Sequence, residues 1–159
     1  MRRSDREIVE WNEIQKILEN SRYLHLALFD DEYPYIVPLH YGYETIDGKV
    51  NFYMHGAKEG HKIDLIKKNG NACIEIENNV ELLSGGDVPC KYSSTYSSFV
   101  ARGKVAIVSD EKEKIHALQT MMFHQTGRKF EMDGKMAVMV EVFKFTADSY
   151  SAKAKTMPQ

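Results

Sequence analysis

Two cysteines in 159 residues, Cys73 and Cys90, have neither the number of a disulfide framework nor the spacing of a metal-ligand set. They read as free thiols in a reducing compartment, Cys73 buried and inert in a strand and Cys90 in a loop. There is no excess of basic charge: the formal net charge is −2, which gives no field for nucleic acid. No apolar run approaches the length needed to cross a bilayer. The N-terminus, MRRSDREIVEW, begins basic but has no apolar stretch behind it, so it does not read as a secretory signal. Neither G-x-G-x-x-G nor a triphosphate P-loop is present. No repeat, linker or low-complexity segment divides the chain. These absences leave a cytoplasmic protein of one domain, residues 1–159, with 43% hydrophobic residues to build a core.

The segment from Val50 to Asn69, VNFYMHGAKEGHKIDLIKKN, carries the most information. Val50, Phe52 and Met54 alternate with Asn51, Tyr53 and His55, the period of a strand. Gly56 and Gly60 then free the backbone to turn and to approach a ligand closely. The first amides of a helix lack intrahelical partners and its dipole favours an anion, so a helix starting at His61 can hold a phosphate, assisted by Lys58, His61 and Lys62. Three residues separate the glycines and Ile63 follows Lys62, which excludes the triphosphate loop and its magnesium-binding hydroxyl. The alternative is an ordinary solvated helix start.

The rest of the chain reads as strands with three helices. Ser4-Asp-Arg-Glu7 resembles a capping box, and Ile14, Ile17 and Leu18 give a helical stripe. Leu24, Leu26 and Leu28 mark a first strand. Asp30-Asp31-Glu32 marks a turn, and Tyr35 to Tyr43 a second strand interrupted by Pro38, which cannot donate to a ladder. Asp47-Gly48 predicts a hairpin into the third strand. The helix over 61–68 ends at Asn69-Gly70, read as its cap. Strands are expected over 72–77, 99–108 and 136–150, with 78–91 irregular. A helix starts at Asp110-Glu-Lys-Glu113, with Ile115, Leu118 and Met122 on one face. Strands without regular βαβ alternation predict a mostly antiparallel sheet that closes into a small barrel, removing exposed edges, with helices outside.

In order along the chain, MRRSDREI, Tyr35-Ile-Val-Pro-Leu-His-Tyr-Gly-Tyr43, Phe52-Tyr-Met-His-Gly-Ala-Lys-Glu-Gly-His-Lys62, Tyr96-x-Ser98 with Gly103, and Asp110-Glu-Lys-Glu-Lys114 together resemble the flavin-binding split-barrel superfamily of pyridoxamine-phosphate oxidase. Within it, they are most similar to the Nim-type nitroimidazole-resistance reductases. The resemblance implies a six-stranded antiparallel split β-barrel with three flanking helices, and a homodimer with FMN at the subunit interface. It implies an FMN-dependent oxidoreductase of small, electron-poor substrates such as nitroaromatics. It places His61 and Lys62, with Gly56, Lys58 and Gly60, at the phosphate. Val37, Pro38, Leu39 and His40 fall along the ring edge, Tyr53 and Met54 beneath the cofactor, and Ser98 reaches in from the partner subunit. His61 stands where the family often has arginine, a stronger phosphate partner.

His55 is the residue singled out for catalysis, since by resemblance Nim-type proteins keep a histidine here and its ordinary pKa suits proton donation near neutrality. The alternative is a structural histidine bonded to a backbone carbonyl. His25, His116 and His124 lack metal-ligand spacing, and Met121, Met122, Met136 and Met139 read as core filler. Three other functions compete. Pyridoxamine-phosphate oxidase proper needs a second phosphate site, and the C-terminal run SYSAKAKTMPQ lacks its Trp and Arg pattern. The others are a non-catalytic flavin-binding protein and a haem-binding split barrel with His40 or His55 as axial ligand.

Overall fold

A computed structural model describes residues 3–155. Met1 and Arg2 of the MRRSDREI likeness, and residues 156–159 of the C-terminal run, lie outside the described residues. The elements run β1 (Glu7–Ile8), α1 (Trp11–Glu19), β2 (Tyr23–Asp30), β3 (Tyr33–Ile46), β4 (Lys49–Gly56), α2 (His61–Lys68), β5 (Asn71–Leu83), β6 (Ser93–Ile107), α3 (Glu111–Thr126), α4 (Gly134–Ala137) and β7 (Glu141–Lys155). The sheet order is β1-β7-β4-β3-β2-β5-β6, and β6 also pairs with β7. Six antiparallel strands therefore close into a ring, as expected, while the two-residue β1 adds a seventh strand against the end of β7.

The ring is filled by alternate residues of its strands. Leu24, Leu26 and Leu28 of β2, Phe52 of β4, Phe99 of β6, and Phe143 and Phe145 of β7 are almost fully buried. Each such side chain contributes roughly 1.5–3 kcal/mol on burial. The stripes Ile14–Ile17–Leu18 of α1 and Ile63–Leu65–Ile66 of α2 join this core. Tyr41 ties β3 to α1, its hydroxyl donating to the Leu18 carbonyl at 2.7 Å. A second, smaller core lies outside the ring, where Ala117, Leu118 and Met121 of α3 and Ala137 of α4 cover Tyr53 of β4 and Val142 of β7. β4 is thus buried on both faces, which its even alternation did not reveal.

The hairpin at Asp47-Gly48 forms with both residues at positive φ (50° and 76°), the conformation Asp-Gly is suited to. Asp110 caps α3, its carboxylate accepting from the Glu113 amide at 2.9 Å.

Several expectations are corrected. Ser4–Arg6 forms a single 3₁₀ turn, and α1 begins only at Trp11. β3 is not interrupted: Pro38 pairs in register with His25. β5 runs on to Leu83, its pairing with β6 shifting register at a bulge between Asn78 and Glu81, so residues 78–83 of the stretch expected to be irregular are strand. Asn69 closes α2 in an extended rather than a left-handed conformation. Met136 and Ala137 belong to α4, and β7 starts at Glu141; the Met136–Val138–Val140 alternation imitates a strand without forming one. Of the α3 face, Leu118 is buried together with Ala117 and Met121, and the half-buried Ile115 packs against this core as expected, whereas Met122 does not join it. No helix among the described residues is long and apolar enough to cross a membrane.

Candidate functional site

The split in the barrel follows from the register of β3. Its second half, Tyr41–Ile46, pairs with β4, whereas Tyr33–His40 pairs only with β2. Beyond Tyr41 and Met54 the two strands part, leaving one backbone edge of β3 unpaired among the described residues. Pro38, with no N–H to offer, sits on this half of the strand. Val37 and Leu39 pack against the ring core, while Pro38 and His40 are exposed.

Counting along the hairpin, His40 and His55 stand one step past the last β3–β4 pair, Tyr41 with Met54. Both lie on the outer face, where α3 packs. They share a groove of about 260 Å³ with Leu118, Met121, Met122 and Gln125 of α3. The His40 Nδ1–H donates to the Arg22 carbonyl at 3.0 Å, which fixes the tautomer and leaves Nε2 as an acceptor. The His55 ring has no hydrogen-bond partner among the described residues. Burial, then the neighbouring His40 and the Lys62 ammonium, push its pKa below the usual histidine value, so the ring is neutral at pH 7.

α3 can lie this close to β3 because residue 42 is glycine. A Cβ there would stand 2.6 Å from both the amide nitrogen and the Cα of Met121. The helix is held by paired charges and hydrogen bonds. Lys114 bonds Glu141 at 3.0 Å, Lys144 bonds Glu113 at 2.9 Å, and the Gln125 amide donates to the Tyr41 carbonyl at 2.8 Å.

The glycine loop leads from β4 into α2. Gly60 occupies the N-cap with φ 124°, a backbone that side-chain-bearing residues rarely adopt, and offers no side chain to the helix. Its carbonyl accepts from the amides of Ile63 and Asp64. The amides of His61 and Lys62 ahead of them are the free donors of the helix start. The two side chains diverge. His61 Nε2 bonds the Asp30 carboxylate at 2.6 Å and its ring meets Tyr35 edge-on at 5.1 Å. Lys62 folds the other way, under Gly56, with its ammonium 5.7 Å from the centre of the Phe143 ring. The structure thus brings His40, His55, Gly56 and Lys62 together and sets His61 beside the β2–β3 turn. Lys58 is exposed in the loop.

Tyr53 and Met54 present buried side chains, Met54 to the ring core and Tyr53 to the α3 core. The Tyr53 hydroxyl donates to Glu44 Oε1 at 2.6 Å, and His116 Nε2 approaches the same carboxylate at 2.9 Å. Burial and then this carboxylate raise the Tyr53 pKa well above the usual phenol value. Ser98 is buried on β6, its Oγ closed off within the chain and without a hydrogen-bond partner among the described residues. β6 pairs with β5 and β7, so within one chain Ser98 is not adjacent to the His40–His55 groove.

The α3 wall of the groove was not found from sequence. The sequence marks Met121 and Met122 only as core filler, and the Glu44–His116 pair, 72 residues apart, has no sequence signal. The His40–His55 juxtaposition was legible: once the hairpin is centred on Asp47-Gly48, counting back along both strands pairs them.

A closed antiparallel ring whose β3 and β4 part beside a groove, with a glycine loop and a helix start at the opening, defines a split barrel. The pyridoxamine 5'-phosphate oxidase family model matches residues 10–154, and the chain belongs to that family. Among solved structures it is similar to a candidate 5-nitroimidazole antibiotic resistance protein from Bacteroides thetaiotaomicron, with 31% identity, a TM-score of 0.79, and coverage of 93% of this chain and 86% of that one. The flavocytochrome Anf3 of Azotobacter vinelandii shares the fold at 17% identity and a TM-score of 0.78, covering 99% of this chain and 73% of that one. A FAD- and haem-binding protein from Mycobacterium smegmatis does so at 14% identity and a TM-score of 0.78, covering 97% and 76%. No curated protein matches the chain.

Proposed function

We propose that the protein is an FMN-dependent oxidoreductase that works as a homodimer and reduces small, flat, electron-poor acceptors such as nitroaromatics. The observation that carries this reading is the groove at the split. Two histidines with unclaimed ring nitrogens face an apolar wall of Leu118, Met121 and Met122, with the Lys62 ammonium close by.

The residues present fit a flavin phosphate and ring. The uncapped start of α2 offers the amides of His61 and Lys62 to an anion, and Lys62 adds a charge. The free edge of β3 at Val37–His40 offers backbone groups to the polar edge of a ring. Tyr23, Phe29 and Ile36 lie exposed on one face of β2 and β3, an apolar stripe that a second copy would cover.

FMN, when bound, would pass electrons from a reduced donor to the acceptor. Reducing a nitro group to nitroso takes two electrons and two protons and releases water. His55, protonated from solvent, relays the two protons in turn in this reading, His40 accepts a hydrogen bond at Nε2, and the α3 wall holds a planar apolar substrate. Lys62 stabilises negative charge in the groove.

The likeness to the Bacteroides thetaiotaomicron protein supports the nitroaromatic class. A second reading has one observation in its favour. A histidine whose Nδ1–H is fixed by a carbonyl, as in His40, is arranged like an axial ligand of haem.

The visible spectrum of the purified protein, before and after addition of FMN and desalting, separates the two. Retained flavin bands at about one FMN per chain support the proposal, and a Soret band lost in His40→Ala replaces it with haem. With FMN bound, His55→Ala is expected to keep the flavin and lose most turnover with a nitroimidazole. Unchanged turnover would remove His55 from the chemistry.

A further inference from the structure

A further cleft lies away from the split. It lies between α1, β3 and the far end of α3, encloses about 520 Å³, and takes its walls from Trp11, Tyr43, Phe123 and His124. Its charged groups are Glu19 and Glu44; no lysine or arginine lines it. An anion such as the FMN phosphate would therefore find no partner there.

We propose that this cleft is a second binding site, for a small organic cation that carries apolar groups, such as an alkylated ammonium.

Three features converge on a cation. Aromatic faces attract a positive charge through their quadrupoles, best when the charge is weakly hydrated and its alkyl groups fill the space between rings. Three aromatic side chains and an imidazole line a single cleft here, and Phe123 remains 51% exposed with nothing packed over it. Glu19 supplies the countercharge. Among the described residues its only hydrogen bond is a long one, 3.4 Å, from the Tyr43 hydroxyl. It is also the last residue of α1, where the helix dipole is negative and adds to the attraction. Glu44, by contrast, is occupied by Tyr53 and His116, so it contributes field rather than a free contact.

The remaining polar groups agree. His124 Nε2–H is committed to the Ser21 carbonyl at 2.9 Å, and burial depresses the ring's pKa, so the imidazole is neutral. Burial and then Glu19 push the Tyr43 pKa up to about 12, so its hydroxyl stays protonated and leaves Glu19 as the free charge. No cationic side chain lines the cleft to repel a positive ligand.

The chain has one tryptophan, and Trp11 lines the cleft, so intrinsic fluorescence reports on it directly. The test is a titration of the purified protein at constant ionic strength with choline, and in parallel with 3,3-dimethylbutan-1-ol, the uncharged carbon isostere. A saturable change with choline but not with the alcohol is expected. Glu19→Gln and Phe123→Ala, both at exposed positions, should each raise the half-saturating concentration about tenfold. His55→Ala should leave it unchanged, so the result is independent of the flavin reading. No saturable response to choline, equal saturation by the alcohol, or an unaltered response in Glu19→Gln would overturn the proposal.

Discussion

Gly42 lies directly beneath the backbone of Met121: a Cβ at position 42 would meet the Met121 Cα at 2.6 Å. One missing methyl group sets the height of α3 above β3, and with it the depth of the groove that holds His40 and His55. Gly42→Ala must lift α3 or distort β3. Overpacking of this kind costs roughly 1–3 kcal/mol, read as a lower midpoint in denaturant unfolding at an unchanged slope. The same variant should lose turnover of bulky and small acceptors unequally, because the wall moves while the histidines stay. An unfolding midpoint equal to that of the unaltered protein would contradict the packing described.

Near α3, Glu44 receives the Tyr53 hydroxyl at 2.6 Å and His116 at 2.9 Å. Tyr53 is only 1% exposed, so replacing Glu44 with alanine leaves a buried phenol without its acceptor. The expected cost is about 1–3 kcal/mol. Tyr53→Phe together with Glu44→Ala should recover part of it, since the orphaned hydroxyl is then gone. A double-mutant cycle in thermal or denaturant unfolding measures this, and strict additivity would show the bond to be worth nothing.

His55 gives a prediction in pH. Burial, His40 and Lys62 hold its folded-state pKa below the ordinary value. A histidine whose pKa is depressed on folding contributes stability that is present above its unfolded pKa and lost as pH falls through the folded one. The flavin-free protein should therefore become less stable as pH drops below about 6.5, and His55→Gln should flatten this slope. Binding of FMN brings a phosphate and is expected to raise the His55 pKa, which makes the ring a more populated proton donor when the site is loaded. By linkage, FMN then binds more tightly at lower pH through this range. Following the ring resonances by NMR, with and without FMN, tests both statements; a pKa unmoved by FMN would place the cofactor away from His55.

The ring itself was legible because its strands carry simple signals. Leu24, Leu26 and Leu28 alternate, Asp47-Gly48 fixes one register, and Ile14, Ile17 and Leu18 mark a helix. What the sequence hid is where tertiary contacts overrule the local pattern. Met136, Val138 and Val140 alternate like a strand, but Asp133 caps a short helix there, accepting from the Met136 amide at 3.0 Å. The extension of β5 through Asn79 depends on a bulge with that residue at φ 55°, which polar composition disguises as loop. In the site, His40 and His55 follow from hairpin counting, while the α3 wall does not, because nothing in 111–126 says which strand the helix will lie against. The closeness permitted by Gly42 decides it.

His61 and Lys62 are adjacent in sequence, as a phosphate-binding pair would be, yet their side chains part. His61 is bonded to Asp30, whose carboxylate competes with any anion for the imidazole, whereas Lys62 turns under Gly56 toward the His55 groove. The backbone amides at the start of α2 remain available in either case. Lys62→Ala should therefore weaken FMN binding by on the order of 1.5–3 kcal/mol, the worth of a charge-assisted contact. His61→Ala should weaken it much less, and Asp30→Asn, which frees the imidazole from a competing carboxylate, should strengthen it slightly. Titration of FMN fluorescence on the three variants ranks them. Equal losses in His61→Ala and Lys62→Ala would mean that His61 leaves Asp30 when the phosphate arrives, and that the basic pair acts together.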